Sequence, residues 1–334
     1  VTGTAARTRT ARGYGLVLLA AVCWAGGGLL AKWLFAAPGP STVGWPVQPL
    51  GLQVDPLLLS AARAAVAFLM AVGYLLLRRR ALLRVDARDM PFLAAFGVFG
   101  LAMVHFTYFK TISLAGVATA ILLEYLAPVI VLAFSVVVLR ERPSWTLPVA
   151  VVLSVTGCAF MVGAIGGGSL RISGEGIAWG LASAVFFAGY ALMGRYAAGR
   201  FAPWTLLAYG LGAATAFWLV VLGGPGRIIG LLADPRALAA VAVLAALSTV
   251  VPFAAFLKAL HFIEATKASI ASTAEPVIAG VTAWFVFGEH LSALQLLGGA
   301  LVIGAVLLSQ VSTRVATEMP LVPSGGFGDG EPSA

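Results

Sequence analysis

Charged side chains are scarce in this chain: of its 334 residues only 10% are Asp, Glu, Lys or Arg, while 60% are hydrophobic, and the mean hydropathy is +0.99. A soluble globular domain carries about a quarter of its residues charged, so that class is excluded. Cysteine is scarcer still. Cys23 and Cys158 lie far apart in separate apolar runs, which leaves no disulfide framework and no metal-ligand spacing, and both read as packing residues. The three histidines, His105, His261 and His290, form no cluster with Asp or Glu at catalytic or metal spacing. Nothing therefore points to a membrane enzyme, and no metal or cofactor is expected. The run Gly26-Gly27-Gly28 follows no strand and precedes no Lys-Ser or Lys-Thr pair. It is no phosphate loop, which argues against direct ATP drive, and it reads as a close-packing or flexible face.

Long apolar runs are what the chain has in abundance. A membrane-spanning helix needs about 20 mostly apolar residues. Ten such runs are present, at roughly 14–35, 56–77, 91–109, 115–139, 145–165, 175–194, 203–222, 236–256, 268–287 and 291–310. They are continuous rather than alternating, which excludes the strands of a membrane barrel. The expected fold is all-α integral membrane with ten transmembrane helices. The first run follows a basic stretch, as a secretory signal does. It is too long for one, keeps Trp24 and Lys32, and has no clean small-residue cleavage site, so it reads as a retained helix.

The net charge of +8 need not mean a nucleic-acid partner, because its placement is one-sided. Arg7, Arg9, Arg12, Arg78, Arg79, Arg80, Arg84, Arg88, Arg140, Arg142, Arg195, Arg200, Lys258, Lys267 and Arg314 fall on one side of the expected spans. Only Lys110, Arg171, Arg227 and Arg236 fall on the other. Basic residues collect on the cytoplasmic side of membrane proteins. The chain is thus expected to be a multi-pass protein of the cytoplasmic membrane with both termini in the cytoplasm. The loop 36–55, rich in Pro and free of Lys and Arg, then lies outside, and 311–334 reads as a disordered cytoplasmic tail.

The chain also repeats itself. Lys110 recurs as Lys258, Pro128-Val129-Ile130 as Pro276-Val277-Ile278, Glu141 as Glu289 and Ser144 as Ser292, all at a spacing of 148. Less cleanly, Cys23-Trp24-Ala25-Gly26 matches Phe186-Phe187-Ala188-Gly189 at a spacing of 163. The organisation expected is a segment 1–13, a five-helix repeat 14–165, a linker 166–174 around Gly166-Gly167-Gly168, and a second repeat 175–310. Five crossings leave a chain on the opposite side of the bilayer, so the repeats are expected to be inverted, a recurrent architecture of secondary transporters.

Several side chains in these runs could carry chemistry. Glu124 lies about 14 Å into the fourth helix at 1.5 Å per residue, where a charge costs at least about 2.5–3.5 kcal/mol. It is a candidate ammonium ligand or proton carrier, or else a structural ion pair with Lys32 or Arg63, or a neutral buried acid. Pro128 and Pro276 interrupt two helices at matched places and so point to a midplane site, or simply to kinks for packing. Ser269, Ser272 and Pro276 share a helix face and could line a cavity or glue helices together. His105 and Tyr108 could relay protons or bind substrate, or only hydrogen-bond between helices. Trp24, Phe187 and Tyr190 could wall a ligand or form core. Lys32 and Arg63, near the outer ends of their helices, read most simply as snorkelling to the interface, or else as holding Glu124 or attracting an acidic substrate.

The motifs Tyr125-Leu126-Ala127-Pro128-Val129 with Leu139-Arg140-Glu141-Arg142, and Ala274-Glu275-Pro276-Val277 with Phe287-Gly288-Glu289, resemble the repeat ends of the drug/metabolite transporter superfamily, in its EamA-type branch. The resemblance covers about residues 13–310. It implies a central site lined by helices one, three, four, six, eight and nine, and export of amino acids or similar metabolites by alternating access. Glu275 resembles an acid that commonly precedes this proline, structural as readily as functional. An importer, a flippase for lipid-linked intermediates and a non-transporting receptor or scaffold are the rival readings. The expected partners are a small-molecule substrate, the lipid bilayer and, as coupling ions, protons; simple facilitated flux is equally open. The charge placement carries a direct test. Single cysteines placed within 40–50 should react with an impermeant reagent added outside cells, and cysteines within 82–88 should not. The reverse pattern contradicts the topology.

Overall fold

The computed structural model describes residues 2–35, 54–164, 173–287 and 291–311. Among them the chain is helical with no strand. The long helices are α1 (Thr2–Phe35), α2 (Pro56–Arg78), α3 (Ala87–Ala115), α4 (Val117–Val137), α5 (Thr146–Met161), α6 (Gly174–Ala197), α7 (Pro203–Val221), α8 (Pro235–Ala259), α9 (Ala265–Ser272 followed by Ala274–Phe287) and α10 (Ala293–Val311), with short helices at Arg80–Leu83 and Gly226–Leu232 between them. Seven of these, namely α2, α3, α4, α6, α7, α8 and α10, are long and apolar enough to cross a membrane, and α5 is a shorter apolar helix. α1 begins at Thr2, so helix covers the segment expected to precede the first span. The loop within 36–53, Gly166-Gly167-Gly168, Glu289 and the tail from 312 lie outside the described residues.

Local chemistry sets where the helices begin and end. Pro56, Pro203 and Pro235 each occupy the first helical position, where the missing N–H costs nothing and the fixed φ suits a helix. The Ser173 side chain caps α6 by accepting from the Gly176 N–H at 3.0 Å, and Asp234 caps α8 by accepting from the Arg236 N–H at 3.1 Å. Gly116, at φ +83°, adopts a conformation that residues with a Cβ avoid, and this lets α3 turn at once into α4. Large apolar side chains face outward: Leu77 is 82% exposed and Val220 81%. Such a surface suits lipid and not water.

Small residues govern the packing inside, as expected where lipid supplies no hydrophobic drive between helices. α5 crosses α10 where Gly157 meets Gly298. A Cβ on either glycine would stand 2.7 Å from the other's carbonyl oxygen. Gly27 approaches α8 so closely that a Cβ would meet the Ser248 Oγ, whereas Gly26 and Gly28 face open space. The glycine run therefore packs through its middle member alone.

The helix pairs follow a pattern. α5 packs on α10 and α2 on α7; α3 packs on α6 as α1 does on α8, α3 on α7 as α8 does on α2, and α4 on α6 as α9 does on α1. Exchanging α1–α5 for α6–α10 turns each pair into another of the set. Irregularities recur as well. α3 contains a π-helical stretch at Phe96–Ala102 and α8 one at Ala246–Val250. α4 breaks at Tyr125 and Leu126, and α9 breaks at Thr273, 148 residues after Tyr125.

Gly298→Val should destabilise the protein by about 1–3 kcal/mol, since backbone faces backbone there and neither can yield. Gly304→Ala, on the same helix but facing open space, should be neutral. Thermal unfolding of the two variants in detergent checks this. Equal melting temperatures would remove the α5–α10 crossing as a constraint.

Candidate functional site

A cavity of about 960 Å³ is lined by residues of α1, α2, α3, α4, α6, α8 and α9. These are the six helices that the family resemblance implies, with α2 in addition. At one end its lining includes Asp55, Ser113 and Val117, which are exposed, so the cavity reaches the surface where α2 starts and α3 turns into α4. Its deep end lies at the two helix breaks and holds Glu124, Tyr125 and Glu275.

The breaks follow from proline chemistry. Proline has no N–H to donate and its ring clashes with the carbonyl four residues earlier, so a helix can start at proline more easily than run through it. α4 stops at Glu124 and resumes at Ala127 with Pro128 in its first turn. α9 stops at Ser272 and resumes at Ala274 with Pro276 in its first turn. Each break places one carboxylate in the cavity. Glu124 accepts a hydrogen bond from the Ser183 hydroxyl of α6. Glu275 accepts one from the Tyr125 hydroxyl at 2.6 Å, which ties the break in α4 to the break in α9. Glu275 stands in the first turn of its helical piece, where the helix dipole favours a negative charge; Glu124 stands at the last residue of its piece, where the dipole opposes one.

Aromatic rings form the walls. Trp24 meets Phe187 edge-on at 5.9 Å between ring centroids and Phe253 at 5.5 Å. His105 lies against Phe253 at 4.8 Å. Phe187 is the residue matched to Trp24 at the 163 spacing, and Phe253 follows His105 by 148, so matched positions of the two halves pack against each other in the cavity wall. The His105 Nδ1 lies 2.8 Å from the Leu101 carbonyl, which assigns the proton to Nδ1 and leaves Nε2 an acceptor. Arg63 lies on the wall as well. It is 6% exposed, its Nε donates to the Thr249 Oγ1 at 2.7 Å, and its Nη2 donates to the Ser248 carbonyl at 3.2 Å. Its guanidinium carbon stands 5.0 Å from the centroid of the Phe109 ring. The snorkelling expected for Arg63 is thus corrected. The π-helical stretch of α8 offers polar partners inside the bundle, and the side chain turns inward to them. The Lys32 side chain lies outside the described residues.

Of the residues singled out in the sequence, the structure brings Glu124, Trp24, His105, Tyr108, Phe187, Arg63 and Glu275 to the cavity. Pro128, Pro276, Tyr190, Ser269 and Ser272 are buried but do not line it. The two prolines stand behind the breaks. Tyr190 is in the aromatic core, its hydroxyl donating to the Phe253 carbonyl at 3.2 Å. The Ser272 hydroxyl donates back to the Ser269 carbonyl at 2.7 Å within α9. Sequence reasoning missed Tyr125, Ser183, Ser248 and Phe253. Phe253 was findable from His105 through the repeat spacing. Ser183 and Ser248 carry no such signal.

Beyond the aromatic layer the opposite end is closed. The Tyr14 hydroxyl and the Ser309 hydroxyl are 2.8 Å apart, and the Arg195 Nη1 donates to the Leu260 carbonyl at 2.6 Å. His261, in the turn after α8, is held below the ordinary imidazole range, chiefly by burial.

Comparison with known proteins agrees with this architecture. The EamA-like transporter family matches residues 11–163 and 174–310. An uncharacterized inner membrane transporter of Salmonella typhimurium, YicL, is 24% identical over 91% of this chain and 97% of its own. A probable terminal-alkyne amino-acid exporter of Streptantibioticus cattleyicolor is 30% identical over 73% of this chain and 80% of its own. A solved crystal structure shares the fold with a TM-score of 0.67 at 21% identity, over 91% of this chain and 97% of that one.

If the breaks give the site its mobility, Pro128→Ala and Pro276→Ala restore a backbone hydrogen bond and stiffen both hinges. The double variant should express and fold normally while its transport rate falls severalfold. Full activity would make the prolines packing residues.

Proposed function

The chain belongs to the EamA-like transporter family, and we propose that it is a secondary transporter that exports a small amino-acid-like or amphipathic metabolite by alternating access. One observation carries the reading: two carboxylates from two broken helices meet in a single aromatic-walled cavity that is open at one end and closed at the other. A substrate ammonium would find Glu124 and Glu275 at the deep end, and its apolar part would lie against Trp24, Phe187 and Phe253. The chain is a multi-pass membrane protein, with seven long apolar helices among the described residues, and a relative is named an inner membrane transporter. The direction of transport rests on the relative named as an amino-acid exporter.

The finer architecture belongs to the same proposal. Ten spans would form two inverted five-helix repeats, and the exchange-symmetric helix pairs, the two π-helical stretches and the two breaks support this. With the termini cytoplasmic, the mouth at Asp55 and Ser113 would face outside. The closed end at Arg195 and Tyr14 would face inside, and rocking of the two halves would exchange them. Glu124 would act as the coupling group, alternating between a proton and the ammonium.

Metabolite profiling of cells with and without the gene, inside and outside, names the substrate. Glu124→Gln keeps the shape and removes the charge. It should reduce net flux of an aminated substrate at least about tenfold and abolish any pH dependence, with insertion and folding intact. Wild-type rates and pH profile in this variant would place the site elsewhere.

A further inference from the structure

Among the described residues, Arg63 is a buried cation without an anion. It is 6% exposed, and the partners it has, the Thr249 hydroxyl and the Ser248 carbonyl, are neutral. Neither Glu124 nor Glu275 forms an ion pair with it, although all three line the same cavity. A charge in a low-dielectric interior is costly without a counter-charge. Two of the five guanidinium N–H groups are used by α8, which leaves three donors, and the guanidinium carbon stands over the Phe109 ring.

A second observation marks the same place. The Ser248 hydroxyl is buried and has no hydrogen-bond partner among the described residues, although the residue is 6% exposed and lines the cavity. Buried hydroxyls without a partner are rare in folded proteins. Its oxygen stands against Gly27 of α1, a glycine that lines the same cavity as Arg63. The His105 Nε2 is also buried and unpartnered on the cavity wall, but it is an acceptor. Among these groups Arg63 can only donate, Glu124, Glu275 and the His105 Nε2 accept, and the Ser248 hydroxyl can do either.

From this division we infer that Arg63 and the Ser248 hydroxyl form a carboxylate subsite, so that the transporter selects zwitterions over amines. The inference rests on the proposed function, since it needs the carboxylates at the helix breaks to hold the ammonium. The substrate carboxylate supplies the anion that Arg63 lacks and accepts from the Ser248 hydroxyl. The ammonium donates to Glu124, Glu275 and the His105 Nε2. A simple amine leaves the buried cation uncompensated, and an amide supplies only a neutral oxygen.

The test measures binding of L-phenylalanine, L-phenylalaninamide and 2-phenylethylamine to the purified full-length protein in detergent. The wild type should prefer L-phenylalanine to its amide by about tenfold or more. Arg63→Gln should bring that ratio to about one. Ser248→Ala, which removes a hydroxyl that makes no bond in the fold, should lower it severalfold and keeps the test decisive should Arg63→Gln misfold. A purely structural role for Arg63 would weaken all three ligands alike and leave the ratio where it was, which overturns the subsite. A wild type that binds the amine or the amide as tightly as the zwitterion overturns it too. A wild type that binds none of the three refutes the amino-acid-like reading itself, and the subsite with it.

Discussion

Inside a bilayer a polar group that finds no protein partner has no water to turn to, and the two helix breaks are where this chain meets that constraint. The hydrogen bond from Tyr125 to Glu275, at 2.6 Å, answers it at both breaks together. It gives a carboxylate a donor in the interior, and it joins a residue in the gap of α4 to the start of the second piece of α9. Ser183 does the same for Glu124 from α6. Without these two hydroxyls each break would leave an unsupported acid facing the cavity, and interrupting the helices would be costly. With them, the helices can stop in the middle of the protein and present polar groups to a ligand. The space they face is walled by aromatic rings and closed at the far end by Arg195 and Tyr14.

The duplication explains why the cavity is central and why its wall is uneven. Matched positions meet in its wall: Trp24 packs on Phe187, and His105 packs on Phe253. Tyr108 corresponds by spacing to Phe256, which lies in the aromatic layer with Phe187 and Tyr190. In each pair the first half carries the ring with a polar atom and the second half a phenyl. A duplicated scaffold thus holds one set of positions for chemistry and the other for packing. The second half contributes polar groups elsewhere, at the π-helical stretch of α8 and at Glu275. A widened helical turn of this kind is common at functional sites, and here it holds Arg63.

Much of the fold was legible in the sequence because the run length of apolar residues measures a bilayer directly. The runs expected at 56–77, 175–194, 203–222 and 291–310 lie on α2, α6, α7 and α10 with ends differing by a few residues. The fourth and ninth runs read as helices interrupted, or else merely kinked, at Pro128 and Pro276, and both are broken just before the proline. The site was less legible. Helical spacing gives the faces of a helix but not which face meets a cavity, so Ser269, Ser272 and Tyr190 were grouped with Glu124 although they pack in the interior. Arg63 was misread for a related reason. Its distance from the helix end suggested snorkelling, and only tertiary packing brings the Ser248 carbonyl and the Thr249 hydroxyl within its reach. Tyr125 shares a motif with Pro128, and nothing in the sequence says that its hydroxyl crosses to Glu275.

The proposed transport cycle requires Glu124 and Glu275 to hold the same substrate cation. A double-mutant cycle tests it, with the affinity of the purified protein for 2-phenylethylamine measured in the wild type, Glu124→Gln, Glu275→Gln and the double variant. If both carboxylates face one ammonium, each single change weakens binding about tenfold, and the double change weakens it by clearly less or more than the product of the two. Binding that is unchanged in either single variant, or losses that simply multiply, would contradict a shared site.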